Sequence, residues 1–187
     1  PIVTLAESGG ANLNYAADIF VEGARGFANQ ARISAMGIPQ VTVVHGSSTA
    51  GGAYQPGLSD YVVMVRQRAR AFLAGPPLLK AATGEIATDE ELGGADMHSQ
   101  VSGLAEYVGE DDAHAVAIAR DVVGALDWAP GAQSPAALPP VLDADELAGV
   151  MPLDGKRPVD MREVIGPIVD ASAWLAFKPD YGPSTVC

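Results

Sequence analysis

The amino-acid sequence predicts an α/β fold. Apolar runs that are typical of buried strands occupy residues 1–7, 40–46 and 60–66. Each of the first two runs is followed by a glycine-rich turn and then by helical sequence, and residues 111–127 have the spacing of an amphipathic helix. Strands that alternate with helices in this way are the pattern of α/β proteins.

The strand, glycine turn and helix form a unit that occurs twice. In the first unit, the strand is followed by the turn SGGA at 8–11 and by helical sequence that ends at Gly37, where glycine can cap a helix. In the second unit, the strand is followed by a glycine loop at 46–52 and a short helix at about 52–58. Two such turns predict two sites lined by backbone that lie near each other.

The rest of the chain predicts further helices. Residues 70–85 predict a short strand and a helix that starts at a proline and ends at Gly84. The helix at 111–127 has Asp111 and Asp112 in its first turn, where carboxylates favour the helix dipole. Its predicted buried face consists of Val116, Ala119, Val122, Val123 and Leu126.

The domain organisation follows from a change in composition. Residues 1–128 predict one domain, and the Pro- and Ala-rich stretch 129–140 predicts a linker. Residues 141–187, with short helices around 143–150 and 160–170, predict a helical bridge. Because the chain has no initiator methionine and both of its ends resemble strands, we expect an excerpt of a longer polypeptide whose first domain is incomplete at its start.

Composition limits the functional classes. The 187 residues, of which 48% are hydrophobic, are enough for one core. A net charge of −12 argues against nucleic-acid and anionic-membrane partners, because both would be repelled. The single cysteine, Cys187, excludes an intrachain disulfide and a thiolate metal site, and no apolar run reaches the roughly 18 residues of a membrane span. We therefore expect a cytoplasmic protein.

The glycine turns favour a site for an anionic oxygen. A glycine between a strand and a helix lets backbone N–H groups face a cleft with no Cβ in the way. The phosphate-binding motifs GxGxxG and GxxxxGK[ST] are absent from both turns. A serine hydrolase would use Ser47 or Ser48 with His45, but the GxSxG elbow is missing. An oxyanion hole for an enolate needs only the two turns.

Four segments resemble one family. They are ESGGAN (7–12), QARISAMGIPQVTVVHGSSTAGGAYQPGLSDYVVMV (30–65), FLAGPPLLKAATGE (72–85) and LGGADMHSQVSG (92–103). They resemble the carboxyltransferase β subunits of biotin-dependent acyl-CoA carboxylases, in particular the methylcrotonyl-CoA and geranyl-CoA branch. The chain departs from the family where Glu7 replaces a common aspartate and Ser48 a common cysteine.

The resemblance implies a fold, a reaction and partners. The fold would be crotonase-like, and the chain would form part of the amino-terminal carboxyltransferase domain. The reaction would move a carboxyl group from carboxybiotin to an acyl-CoA through an enolate held by backbone amides, with the biotin anion as the base. The partners would be acyl-CoA, a biotin-bearing α subunit and further β subunits in a homo-hexamer.

The resemblance also implies site residues. The catalytic amides would belong to two sets, Gly9, Gly10 and Ala11 in the first turn, and Gly51, Gly52 and Ala53 in the second. The substrate-binding residues would be Tyr54, Ala74, Gly75, Pro76, Pro77 and Lys80.

Other side chains have simpler interpretations. His45 fits a structural residue or a proton carrier, and Lys80 fits a CoA-phosphate ligand or a solvated lysine. His98 and His114 lack the spacing of metal ligands, so no metal site is expected. The alternative functions are another acyl-CoA enzyme of the same fold, a decarboxylase or hydratase, and a non-catalytic assembly domain. A hydratase would need paired glutamates at the cleft, which the glycine turns lack.

Overall fold

A computed structural model describes residues 1–129, 131 and 136–182. The chain divides into two compact units. We call the first the sheet unit; it contains residues 1–128 and 177–182. We call the second the helical unit; it contains the described residues between 129 and 176. None of the described helices is both long enough and apolar enough to span a bilayer.

The sheet unit is built on parallel strands. They are Ile2–Ser8 (β1), Gln40–Thr49 (β2), Tyr61–Val65 (β3), Arg70–Phe72 (β4) and Tyr107–Gly109 (β5). The strand order is β1-β2-β3-β5, and β4 pairs with the last part of β2. All four pairings are parallel, which confirms the predicted α/β class.

Helices connect these strands. They are Ala16–Ala35 (α1), Tyr54–Gly57 (α2), Pro76–Thr83 (α3), Asp89–Gly93 (α4), Ala95–Met97 (α5) and Asp112–Ala125 (α6), with 3₁₀ turns at Leu13–Tyr15 and Ala50–Ala53 and a π-helix at His98–Ser102. Gly37 and Gly84 have positive φ at the ends of α1 and α3, as the predicted glycine caps require. The Asp111 side chain accepts a hydrogen bond from the His114 amide and caps α6.

The core lies between the sheet and α6. It consists mainly of valines from β2 and β3, which are almost inaccessible to solvent, and of Ala115, Ala119 and Val122 from α6. The predicted face of this helix is therefore partly wrong. Ala119 and Val122 are buried as predicted, but Val116 is 39% exposed and Ala115, which was not predicted, is fully buried in its place.

The second strand differs most from its predicted bounds. It continues through Gly46, Ser47 and Ser48 to Thr49, so the predicted loop at 46–52 starts only at Ala50. The pairing with β1 shifts from Ala6–Val44 to Ser8–Ser48, which leaves extra residues in β2. This irregularity lets glycine- and serine-rich sequence stay in the strand, where propensity alone favours a loop.

The amino ends of β3 and β5 carry a buried carboxyl group. Glu106 is 7% exposed, and its Oε2 accepts a hydrogen bond of 2.6 Å from the Val62 amide. Lys178 Nζ lies 3.3 Å from Glu106 Oε1, donates to the Gly103 carbonyl and faces the Phe177 ring at 5.3 Å. Burial raises the pKa of the Glu106 carboxyl, and the Val62 hydrogen bond and the charge of Lys178 oppose that rise.

The helical unit contains the short helices Leu147–Val150 (α7) and Met161–Ile165 (α8) and 3₁₀ turns at Ala144–Glu146 and Asp170–Ser172. The Ser172 hydroxyl accepts hydrogen bonds of 2.9 Å from the amides of Val141 and Leu142. At the start of α8, hydrogen bonds from Arg162 lower the pKa of Asp160 to about 2. The two predicted short helices are therefore present, although each is shorter than predicted.

Candidate active site

The carboxyl ends of β1, β2 and β4 lie side by side. Ser8 pairs with Ser48, and Thr49 pairs with Phe72. Each strand is followed directly by a glycine-containing turn. In open parallel sheets, ligands bind at this end of the strands, where the turns after neighbouring strands meet.

Both predicted glycine turns line one cleft of about 530 Å³. The first turn contributes Gly9, Gly10 and Ala11, and the second contributes Gly51 and Gly52. The cleft therefore brings together five of the six residues that were predicted to be catalytic. Ala53, the sixth, lies in the same 3₁₀ turn but outside the lining of the cleft.

The first turn is open. A Cβ on Gly9 or Gly10 would have no atom within 4 Å. Gly10 has a φ of +99°, a conformation that side chains strongly disfavour. Its N–H donates to the Ser8 hydroxyl at 3.3 Å. Ser8 thus occupies the Gly10 amide, and the amides of Gly9 and Ala11 make none of the hydrogen bonds found in the described residues.

The second turn is packed. A Cβ on Gly52 would lie 2.7 Å from the Ser8 Cβ, which is closer than real Cβ contacts. The turn is a 3₁₀ helix at Ala50–Ala53, and Ala50 has a φ of +53°. Because each N–H in a 3₁₀ helix donates to the carbonyl three residues earlier, the Gly51 N–H has no partner inside this helix, whereas Gly52 is the first residue whose N–H can have one. The structure requires glycine at 52 for space.

One face of α1 forms an apolar wall of the cleft. Its residues are Ile19, Phe20, Gly23, Ala24 and Phe27. Phe27 also contacts the second turn, because its ring lies 5.3 Å from the Tyr54 ring and its Cζ 3.7 Å from the Cβ position of Gly51. This wall was not predicted from the sequence. The spacing of its members, at i, i+1, i+4, i+5 and i+8, is a signal that could have found it.

The predicted substrate-binding turn follows β4. Gly75 precedes α3, Pro76 and Pro77 form its first turn, and Lys80 is exposed without a partner among the ion pairs of the described residues. The lining of the cleft includes neither these residues nor Ala74. The Thr49–Phe72 pairing nevertheless places the start of this segment next to the second glycine turn.

Comparison with known proteins decides the family. The model of the carboxyl transferase domain family matches residues 1–187, which is the whole chain. The chain belongs to the carboxyl transferase domain family. This membership agrees with the resemblance read from the glycine turns and the FLAGPPLLKAATGE segment.

Two curated relatives match the whole length of the chain. The probable biotin-dependent acyl-coenzyme A carboxylase beta2 subunit of Mycobacterium tuberculosis is 50% identical, and the methylcrotonoyl-CoA carboxylase beta chain of Dictyostelium discoideum is 46% identical. The chain spans 35% and 33% of their lengths.

Two solved structures confirm the crotonase-like carboxyltransferase fold. The beta subunit of P. aeruginosa geranyl-CoA carboxylase is 63% identical, with a TM-score of 0.64. The transcarboxylase 12S hexamer, with methylmalonyl-coenzyme A and methylmalonic acid bound, is 33% identical, with a TM-score of 0.86. Both matches cover the whole chain, and the chain covers 35% and 36% of the two subunits.

The serines of the carboxyl transferase domain are poorly placed for nucleophilic attack. Ser48 is 1% exposed, and its hydroxyl has no hydrogen-bond partner in the described residues. Ser47 and His45 are half-buried residues of β2, and no described hydrogen bond joins His45 to either serine. A serine nucleophile needs an exposed hydroxyl bonded to its base, which this arrangement lacks.

The other histidines have structural contacts. His98 is buried, and its Nε2 lies 2.6 Å from the Ala71 carbonyl while its Nδ1 lies 2.7 Å from the Ser102 hydroxyl. His114 Nδ1 accepts from the Glu110 amide. Within the described residues, no group of His, Cys, Asp and Glu side chains could hold a metal ion.

The acidic residues Asp89, Glu90 and Glu91 form the first turn of α4. Thr88 and Glu91 form a reciprocal capping box, and the hydrogen bonds from Thr88 lower the pKa of Glu91. Asp89 and Glu90 face Arg70 of β4 at 4.0 and 3.8 Å. These carboxylates therefore hold α4 against the sheet, away from the lining of the cleft.

Proposed function

We propose that this chain forms the acyl-CoA side of a biotin-dependent carboxyltransferase. The observation that carries the proposal is the cleft in which both glycine turns meet. A thioester oxygen placed there would meet backbone N–H groups, with no Cβ at Gly9, Gly51 or Gly52 to keep it away. Family membership supports the same chemistry.

The chain's own residues hold and shield the enolate in this proposal. The amides of the second turn donate to the thioester oxygen as it becomes negative, since such donors act most strongly when they are already in place. The apolar wall of α1 excludes water from the cleft, which strengthens those hydrogen bonds. Carboxybiotin, carried by a partner subunit, supplies the carboxyl group and then the base.

The substrate is proposed to be an apolar acyl-CoA. The wall formed by Ile19, Phe20 and Phe27 suits an apolar acyl group, and the 63% identity to a geranyl-CoA carboxylase subunit favours that class. The CoA part is proposed to contact Tyr54 and the segment Ala74, Gly75, Pro76, Pro77 and Lys80. The pairing of β4 with β2 supports this, because it brings the segment next to the second turn.

The remaining assignments concern the assembly. Residues 1–128 are proposed to be the acyl-CoA-binding domain, 129–140 a linker and 141–187 a bridge to a second carboxyltransferase domain. The proposed partners are a biotin-bearing α subunit and further β subunits in a hexamer, the assembly reported for transcarboxylase 12S. The acidic composition and the single cysteine support a cytoplasmic location.

The test uses the complete polypeptide that contains this chain, assembled with its biotin-bearing partner. Carboxyl transfer from carboxybiotin to a series of acyl-CoA thioesters is expected, with apolar acyl groups preferred. Loss of a carboxyl group or addition of water to the acyl-CoA, without carboxyl transfer, would favour a decarboxylase or a hydratase. Absence of acyl-CoA binding in calorimetry would favour an assembly domain.

A further inference from the structure

Gln30 is the one buried side chain in α1. It is 5% exposed, whereas the rest of this 20-residue helix is half-buried or exposed. Its Nε2 is hydrogen-bonded, whereas its Oε1 has no hydrogen-bond partner in the described residues, so the cost of desolvation is offset through the donor alone. The hydrogen bonds of Gln30 therefore show where α1 is anchored to the rest of the sheet unit.

Those contacts lead to the helix behind the second glycine turn. Gln30 Nε2 donates to the Gln55 carbonyl at 2.8 Å and lies 3.5 Å from the Ser59 hydroxyl. Ser59 donates to the same Gln55 carbonyl at 2.8 Å. The Gln40 side chain donates to the Gln30 backbone carbonyl at 3.1 Å. Gln30 is thus joined to both α2 and β2.

Gln55 is two residues beyond the second turn. The intervening Tyr54 donates its amide to the carbonyls of Gly51 and Gly52, so the start of α2 is hydrogen-bonded directly to the turn. One helical turn before Gln30, Phe27 contacts the same turn and the Tyr54 ring. The helix α1 therefore has an apolar contact with the second turn, through Phe27, and a polar contact with α2 directly behind it, through Gln30.

We propose that Gln30 is a positioning residue for the second glycine turn. Its amide ties α2 to α1 and so sets how far the amides of Gly51 and Gly52 lie from the apolar wall across the cleft. The inference rests on the proposed carboxyltransferase function. Gln30 lies outside the lining of the cleft, so it acts through the turn and not on the substrate.

The main test compares Gln30→Met with Asn29→Ala in the complete, partner-bound enzyme. Methionine keeps the length and the apolar stem of the side chain but cannot donate to the Gln55 carbonyl. We expect kcat to fall about tenfold, with KM for acyl-CoA changed less than about threefold, since one buried hydrogen bond is lost. Asn29 is exposed on the same helix, and Asn29→Ala is expected to leave both constants unchanged.

A pH profile of Gln30→Glu gives a readout that a general loss of stability would not produce. An ionised carboxylate has no proton for the Gln55 carbonyl, whereas a protonated carboxyl group donates one hydrogen bond. The ratio of kcat for Gln30→Glu to kcat for Gln30→Met should therefore rise as pH falls. Asp60 accepts a hydrogen bond of 2.8 Å from the backbone N–H of Gln40. It is the ionisable side chain bonded to the residues that contact Gln30, and it is unchanged in both variants.

Hydrogen exchange separates this inference from the proposed function. In Gln30→Met, the peptide 50–57 should exchange about tenfold faster while the peptide 61–65 is unchanged. A wild-type enzyme without carboxyl transfer would overturn the proposed function alone, because the exchange experiment does not depend on activity. Unchanged exchange at 50–57, or parallel pH profiles for the two Gln30 variants, would overturn the positioning role. If Gln30→Met does not assemble, Gln30→Asn, which keeps the amide on a shorter stem, takes its place with the same expected changes.

Discussion

The two ends of the parallel sheet are built from different chemistry. At the carboxyl end, β1 and β2 run into turns of small residues, and a cleft is lined by Gly9, Gly10, Gly51 and Gly52. At the amino end, the buried Glu106 is hydrogen-bonded to the Val62 amide and paired with Lys178. The carboxyl end exposes backbone groups to a cleft, whereas at the amino end charged side chains hydrogen-bond to the backbone and to each other.

We infer from this difference that the carboxyl end of the sheet serves function and the amino end serves stability. Glycine has no side chain to add to the core and loses much backbone entropy on folding, so we infer that these glycines serve what the backbone amides of the turns bind. A buried ion pair holds its elements in place, and removing one partner is costly because the other charge stays behind. Substitutions at the carboxyl end should therefore lower the rate of reaction without unfolding, and substitutions at the amino end should do the opposite.

The largest effect is expected for Gly52→Val in the complete enzyme. The new side chain would collide with Ser8, whose Cβ lies 2.7 Å from the Cβ position, and would displace the amides of the turn. Loss of an oxyanion donor should slow carboxyl transfer about 100- to 1000-fold. The matched control, Gly26→Ala, lies on α1 outside the lining of the cleft, adds a Cβ with no atom within 4 Å and should stay close to the wild-type rate. A folded Gly52→Val enzyme that retains more than about a third of the wild-type rate would show that this turn is not an oxyanion hole.

The second prediction concerns the amino end. Lys178→Met removes the cation and leaves the Glu106 carboxyl buried, so we expect a loss of about 2 kcal/mol in local stability with kcat at saturating acyl-CoA unchanged. Hydrogen exchange of peptide 61–65 measures the stability. Lys156→Met, at an exposed site in the helical unit, is the control. A drop in kcat larger than the drop in folded protein would remove the distinction between the two ends.

A smaller effect is expected from the serines. Replacing Ser47 and Ser48 together with alanine should change the rate by less than about threefold, because neither hydroxyl is placed as a nucleophile. Mass spectrometry of the enzyme quenched during turnover should find no acyl–serine adduct. Such an adduct, together with a loss of several orders of magnitude in rate, would show that a serine at the carboxyl end of the sheet acts as a nucleophile.

The smallest expected effect is a pH dependence at Glu106. Because burial raises the pKa of this carboxyl above 4.5, the folded chain keeps the proton to higher pH than the unfolded chain does. Its contribution to the unfolding free energy is therefore greatest below pH 4.5 and falls as pH rises through the raised pKa. Glu106→Gln should lack this dependence. The difference between the two proteins, from exchange of peptide 61–65, should decline with pH; a difference that rises with pH would contradict the raised pKa.

The sequence predicted the carboxyl end well because its signals are local. Apolar runs and the glycines behind them lie within ten residues of one another, and the repeated unit alone indicated that the two turns meet. The exact end of β2 was missed, since glycine and serine favour loops and only the pairing with β1 and β4 keeps Ser47 and Ser48 in the strand.

The amino end could not be predicted because its partners are distant in sequence. Glu106 bonds to Val62, 44 residues earlier, and β5 has only three residues, too few to show a period. Gln30 has the same difficulty, because a glutamine on a largely exposed helix looks solvated until Gln55 is placed beside it. Contacts of this kind become visible only in the folded chain.

The central claim is that the two glycine turns hold the oxygen of an acyl-CoA thioester. The most direct measurement is a crystal structure of the complete enzyme with an unreactive acyl-CoA analogue that keeps the carbonyl group. The proposed function predicts the carbonyl oxygen about 2.7–3.1 Å from a backbone amide of Gly51 or Gly52, with the acyl group along Phe20 and Phe27 of α1. A carbonyl oxygen bound away from both turns would contradict it.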